Sequence, residues 1–224
     1  MIAGGHANVM AQAEINRSID AQGKKYYTLQ TRTAVSRGLQ FLAERQHTDG
    51  SFGSGSTFKS NVAVTALCGM AFLADGSTPG RGKYGIQVQK AVDFILASCK
   101  PSGYIISPDS ISHGPMYGHG FATLFLAEVY GMTHSKDVRA KLEKAVELIV
   151  KSQNAKGGWR YTPESRDADL SVTVCQIMAL RAARNCGIFI SKDVIDRCIE
   201  YVKQSQNPDG GFRYQLVRQA ESEF

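Results

Sequence analysis

Apolar residues return along this chain at the spacing of a helix face, and the face itself returns every fifty-odd residues. Four segments carry apolar or small side chains at i, i+3, i+4 and i+7. They are Val35, Gly38, Leu39, Leu42; Val88, Ala91, Val92, Ile95; Leu142, Ala145, Val146, Ile149; and Ile195, Cys198, Ile199, Val202. The second position is small in all four, as expected where two helices approach closely. Each stripe runs into an anchor, Gln46, Cys99, Gln153 or Gln206, and these stand 53 or 54 residues apart. Four residues beyond each anchor comes a glycine (Gly50, Gly103, Gly157, Gly210), and six beyond it Phe52, Ile105, Trp159 or Phe212. Two of the stripes open with Ser-Lys-Asp-Val, at Ser135 and Ser191, which predicts serine N-caps with an acidic residue in the first turn.

After each of the first three anchors the pattern changes to a less polar helix, at about 61–74, 119–130 and 171–186. A helix that is apolar on nearly every face has to be buried on nearly every face. Amphipathic outer helices alternating with such inner ones describe an all-α fold, an α/α toroid of helical-hairpin repeats. Glycine at 131 and 187 predicts the inner-helix ends. The connection from Lys100 to Met116 is long for a loop, which marks it as a candidate functional lip. The fourth outer helix has its glycine–aromatic turn but no inner partner. The reading therefore divides the chain into an N-terminal segment 1–32, repeats over 33–214 and a tail 215–224, and expects an incomplete array. An open end of this kind offers apolar surface for self-association.

Composition narrows the function only slightly. The 224 residues suffice for one substantial core. The net charge of +6 is scattered, with no basic block of the nucleic-acid type. No apolar run reaches the length of a transmembrane span. Five cysteines without a CxxC pair fall mostly at apolar helical positions and read as small buried hydrophobes, not ligands. Ala11-Gln12-Ala13 has the small-x-small form of a signal-peptidase site, which favours export; without cleavage there, the chain is cytoplasmic.

The Gln-x-x-x-Gly-x-aromatic turn after an amphipathic helix resembles the repeat of squalene and oxidosqualene cyclases. The whole pattern, over about 33–214, resembles the terpene cyclase / protein prenyltransferase superfamily and its bacterial relatives. In that superfamily the glutamine and aromatic tie outer helices together, so the resemblance implies that Gln46, Gln153, Gln206, Trp159 and Phe212 serve the fold. It also implies a hydrophobic or isoprenoid small molecule in a central cavity. Hopene-forming cyclases carry Asp-x-Asp-Asp-Thr before an inner helix, the middle Asp protonating an alkene. Aligning on Thr173 puts Asp169 on the first Asp and Ser171 on the proton donor; sliding the frame to Asp167-Ala-Asp169 keeps a middle Asp but breaks the spacing to Thr173. A serine hydroxyl cannot protonate an olefin. Prenyltransferases instead hold zinc with Asp-x-Cys at this place, and Ser171 stands where the thiolate belongs, so no metal site and no cofactor are implied. His119-Gly120-x-x-Thr123 resembles their His-Gly-x-x-Thr, whose histidine contacts a diphosphate, and Arg166 stands near their basic diphosphate ligands.

The candidate catalytic residues are thus Asp167, Asp169 and His119, and the candidate binding residues Tyr117, Arg166 and Ser171. Each also has a plain structural role: the two aspartates as N-caps of the inner helix, His119 as a hydrogen-bonded core residue. Arg160-Tyr161 is echoed by Arg213-Tyr214, and repetition favours scaffold. Three functional classes stay open. One is a cyclase- or prenyltransferase-like enzyme. Another is a non-catalytic protein- or ligand-binding scaffold. The third is a carbohydrate-active α/α toroid using paired carboxylates at the rim.

Overall fold

The computed structural model describes residues 23, 27–55, 58–107 and 114–216. Ala11-Gln12-Ala13 lies outside them. Among the described residues there are seven helices and no strand: α1 Leu29–Ala43, α2 Val62–Ala74, α3 Gly85–Ala97, α4 Pro115–Thr133, α5 Lys136–Lys151, α6 Leu170–Asn185 and α7 Lys192–Ser205. The all-α class read from the periodicity is the one observed. No described helix is long and apolar enough to cross a membrane. The chain forms two compact units, Met1–Glu44, which holds α1, and Arg45–Phe224, which holds the rest. In the first, the Thr28 side chain caps α1 by accepting the Thr31 N–H at 3.2 Å.

In the second unit α2, α4 and α6 make an inner layer, with α4 packed between the other two. Helices α3, α5 and α7 lie outside, each against the inner helix that precedes it. This is the two-layered arc of an α/α toroid. The predicted stripes are the buried faces of α3 (Val88, Ala91, Val92, Ile95) and α5 (Leu142, Ala145, Val146, Ile149). In α7 the stripe is only partly covered, since Ile199 is exposed. Helix α4 is buried on nearly every side from Met116 to Tyr130, as its composition demands. Helix α6 departs from that expectation. One side is packed through Val172, Cys175, Gln176 and Ala179, while Val174 and Met178 stay exposed.

The turns after the outer helices repeat in atomic detail. Gln46 Nε2 donates to Gly50 O at 3.0 Å and to Gln87 O, in the first turn of α3, at 2.9 Å. Gln153 Nε2 donates to Gly157 O and to Val194 O, in the first turn of α7, both at 2.9 Å. One amide thus fastens its own turn to the following outer helix. The glycines are required twice over. Their φ values are +86°, +88° and +92° at Gly50, Gly103 and Gly157, where an L side chain is strained. A Cβ there would also meet the backbone oxygen of Lys90, Lys144 or Arg197 at 2.2 Å.

Two boundary expectations need correcting. Ser135 and Ser191 do precede α5 and α7, but neither hydroxyl makes a capping bond. In the second unit the side-chain caps are on inner helices instead, where Asn61 Oδ1 accepts the Ala63 and Val64 N–H groups and Asp169 Oδ1 accepts that of Val172. Helix α4 begins at Pro115, not near His119, because proline presets the first helical φ and needs no N–H partner. It also runs past Gly131 to Thr133, and His134 takes the left-handed closing position (φ 53°).

Candidate functional site

The inner-helix N-termini share one rim, and the backbone there is wired by a second repeated device. The N–H of the residue six beyond each of the first three anchors donates to a side chain in the first turns of the next inner helix. Phe52 donates to Thr65 Oγ1 at 2.9 Å, Trp159 to Thr173 Oγ1 at 3.0 Å, and Ile105 to His119 Nδ1 at 3.2 Å. His119 therefore occupies the position that threonine fills elsewhere. Its other nitrogen, Nε2, donates to Ala145 O at 3.2 Å, and the residue is fully buried. With Nδ1 accepting and Nε2 donating, the ring is neutral, and burial pushes its pKa down to about 4. Both nitrogens are spent on backbone groups.

Asp169 is also fully buried, paired with Trp159 through a short β-bridge that follows the Gly157 turn. Its Oδ1 accepts the Val172 N–H at 2.8 Å, capping α6, and the Ser171 hydroxyl at 2.6 Å. Its Oδ2 faces Arg160 Nη1 at 3.6 Å. Asp167 is largely exposed; its Oδ2 lies 3.3 Å from Arg160 Nε and accepts from Gln215 Nε2 at 3.1 Å. The two carboxylates flank one guanidinium rather than facing each other across a groove. Arg160 also lies over the Tyr161 ring at 4.5 Å, a cation–π distance.

Ser171 joins this group to α4. Its oxygen is 2.5 Å from Tyr117 Oη. Since Ser171 already gives its single proton to Asp169, Tyr117 must be the donor in that contact. The result is a directed chain, Tyr117 to Ser171 to Asp169. Burial raises the Tyr117 phenol above its ordinary value, and the Asp169 charge adds to this. Tyr117 lies beside Tyr161, ring centroids 6.1 Å apart, and Tyr161 Oη meets Tyr214 Oη at 2.5 Å. Gln176 fixes the register of α6 on α4 by donating to Met116 O at 2.8 Å.

Tyr117 opens on a cleft of about 190 Å³ between the N-termini of α2 and α4. Phe58, Val62, Ala63, Val64, Ile106 and Pro115 give it a mainly apolar wall. Ile106, Ser107 and Gly114, from the long connection expected as a lip, also line it; residues 108–113 lie outside the described set. A second cleft of about 370 Å³ lies beyond Asp167, bordered by Lys156, Arg166, Ala168 and Tyr201. Arg166 is exposed there. The structure thus brings Tyr117, Ser171, Asp169 and Asp167 into one connected group, while His119 is enclosed in the core and Arg166 sits on the other cleft. Arg160, read from sequence as scaffold, is the residue that links the two aspartates. Arg160 stands seven residues before Asp167 and nine before Asp169, the α6 cap, and reaches both only because the turn folds back. Among the described residues no three His, Cys, Asp or Glu side chains come together as a metal site.

The family model described as the prenyltransferase alpha-alpha toroid domain matches residues 21–142 and 86–223. The chain is similar to drimenyl diphosphate synthase of Streptomyces showdoensis, 29% identical over 190 residues, covering 81% of this chain and 32% of that protein. It therefore spans about a third of the relative's length.

Proposed function

We propose that this chain, which belongs to the prenyltransferase α/α toroid family, binds part of an isoprenoid chain in the cleft between α2 and α4. The observation that carries the reading is the apolar cleft with one polar group, Tyr117, held at its edge through Ser171 by a buried carboxylate. Apolar walls with a few fixed polar groups are the usual make-up of a small-molecule site. At about 190 Å³ the cleft is below the roughly 300–1,000 Å³ that encloses a whole drug-sized ligand. It accommodates one end of a prenyl chain.

In this reading Tyr117 presents its free lone pairs to the ligand, because its proton is directed to Ser171. Asp169 acts as an acceptor that orients the chain and caps α6, not as the alkene-protonating acid. His119 serves the core, and Arg166 belongs to the neighbouring cleft. Titration calorimetry with farnesol tests the reading. Saturable binding that is abolished by Ala63→Trp, which fills the cleft, is the expected result. Undiminished binding in that variant, or none in the parent, would overturn it.

A second reading, a synthase-type conversion, draws on the likeness to drimenyl diphosphate synthase. Incubation with farnesyl diphosphate separates the two: a new terpenoid product that disappears with Asp169→Asn favours conversion.

A further inference from the structure

The polar atoms behind Asp169 do not all close on one another. Asp169 Oδ2 and Arg160 Nη1 are both inaccessible, and neither makes a hydrogen bond among the described residues. Their 3.6 Å separation exceeds hydrogen-bond reach. The Tyr201 hydroxyl is a third such atom, on a side chain only 1% exposed. Its ring packs at the start of α6, where a Cβ on Gly158 would meet Tyr201 Cε1 at 3.1 Å and Thr173 Oγ1 at 3.0 Å. The Ser205 hydroxyl one turn on gives its proton to the Tyr201 carbonyl at 2.8 Å. Burial pushes the Tyr201 phenol up to about 12; the charges of Asp169 and Asp167 add to this, while the Ser205 hydroxyl and the Arg160 charge act against it.

Orphaned donors and acceptors of this kind are rare in folded proteins, and a polar contact longer than about 3.5 Å is where bridging water is found. We propose that one water molecule is held at this point. It accepts from Arg160 Nη1 and from Tyr201 Oη and donates to Asp169 Oδ2. That makes three hydrogen bonds, the usual number for a buried water. A direct Arg160–Asp169 bond would satisfy two of the atoms and leave the Tyr201 hydroxyl without a partner. The water satisfies all three.

The site also has an outlet. Tyr201 and Asp167 border the cleft beside Lys156 and Arg166. With the water in place, a hydrogen-bonded series runs from Tyr117 through Ser171 and Asp169 to that second cleft. Only the use of this series by a ligand at Tyr117 rests on the function proposed above; the water site itself does not.

Two measurements test it. A crystal structure resolving ordered solvent is expected to show one density peak within hydrogen-bond distance of the three atoms. A closed Arg160–Asp169 pair with no peak would overturn the proposal. Tyr201→Phe keeps the ring and removes the hydroxyl. Loss of a hydrogen-bonded partner lowers the urea midpoint, whereas removal of an orphaned hydroxyl leaves it unchanged or raises it, and that second outcome also overturns the proposal. Farnesol titration on the same variant reports separately on the cleft at Tyr117.

Discussion

Tyr117 and Ser171 stand at the same place on consecutive inner helices. Each precedes by two residues the side chain, His119 or Thr173, that accepts the N–H of the turn before it. Their hydroxyls meet at 2.5 Å, so the contact between α4 and α6 joins equivalent positions. This predicts coupled mutations. Tyr117→Phe and Ser171→Ala each remove the shared bond, and the double variant should lose less than the two singles added. The expected interaction term is about 0.5–1.5 kcal/mol. Strictly additive urea midpoints would refute it.

Asp169 carries both the α6 cap and the Ser171 bond. Losing an N-cap costs about 1 kcal/mol, and the freed Ser171 and Arg160 groups add to it. Asp169→Ala should therefore cost about 2 kcal/mol or more, and Asp169→Asn, which retains an acceptor for Val172, distinctly less. Equal losses in denaturant titrations of the two variants would show that the cap is not what matters.

His119 makes stability depend on pH. Its folded pKa of about 4 lies below the unfolded value near 6.5, so between those values the unfolded chain binds more protons. Stability is full above about pH 6.5 and falls as pH drops towards 4, by an amount on the order of 3 kcal/mol. His119→Thr installs the acceptor used at Thr65 and Thr173. That variant should be less stable at pH 7, because it leaves a cavity, yet flatter across the acid range. An unchanged slope in pH-dependent urea unfolding would contradict the assignment.

Gly157 and Gly210 share a positive φ but not a neighbourhood. A Cβ at Gly157 meets Arg197 O at 2.2 Å, while at Gly210 nothing lies within 4 Å. Alanine at Gly210 should cost about 1 kcal/mol, the left-handed strain alone. Alanine at Gly157 should cost about 3 kcal/mol or more, because backbone must move. Thermal melts of the pair decide this, and similar shifts would argue against the close approach.

Much of the fold was legible because it is periodic. Val88 to Ile95 and Leu142 to Ile149 show their buried face in the sequence, and the anchor spacing reveals the hairpin unit. What escaped was held by single contacts. The start of α4 is not marked by the apolar pattern, which becomes dense only beyond His119, although proline at the first helical position is itself a start signal. The exposed Val174 and Met178 could not be told from their packed neighbours, since composition reports hydrophobicity and not which neighbour is present. For the site, Ser171 and Asp169 are marked by the resemblance to the cyclase and prenyltransferase motifs. The role of Arg160 depends on the turn folding it back over Asp167 and Asp169, and no local pattern encodes that.

Each of the first three glycine turns is completed by a helix that comes later in the chain: Gly50 by α3, Gly103 by α5, Gly157 by α7. The dependence runs one way, since a hairpin finishes its predecessor and is finished by its successor. On the ribosome, closure would thus trail synthesis by one hairpin, and the newest turn would be the loosest joint at every stage.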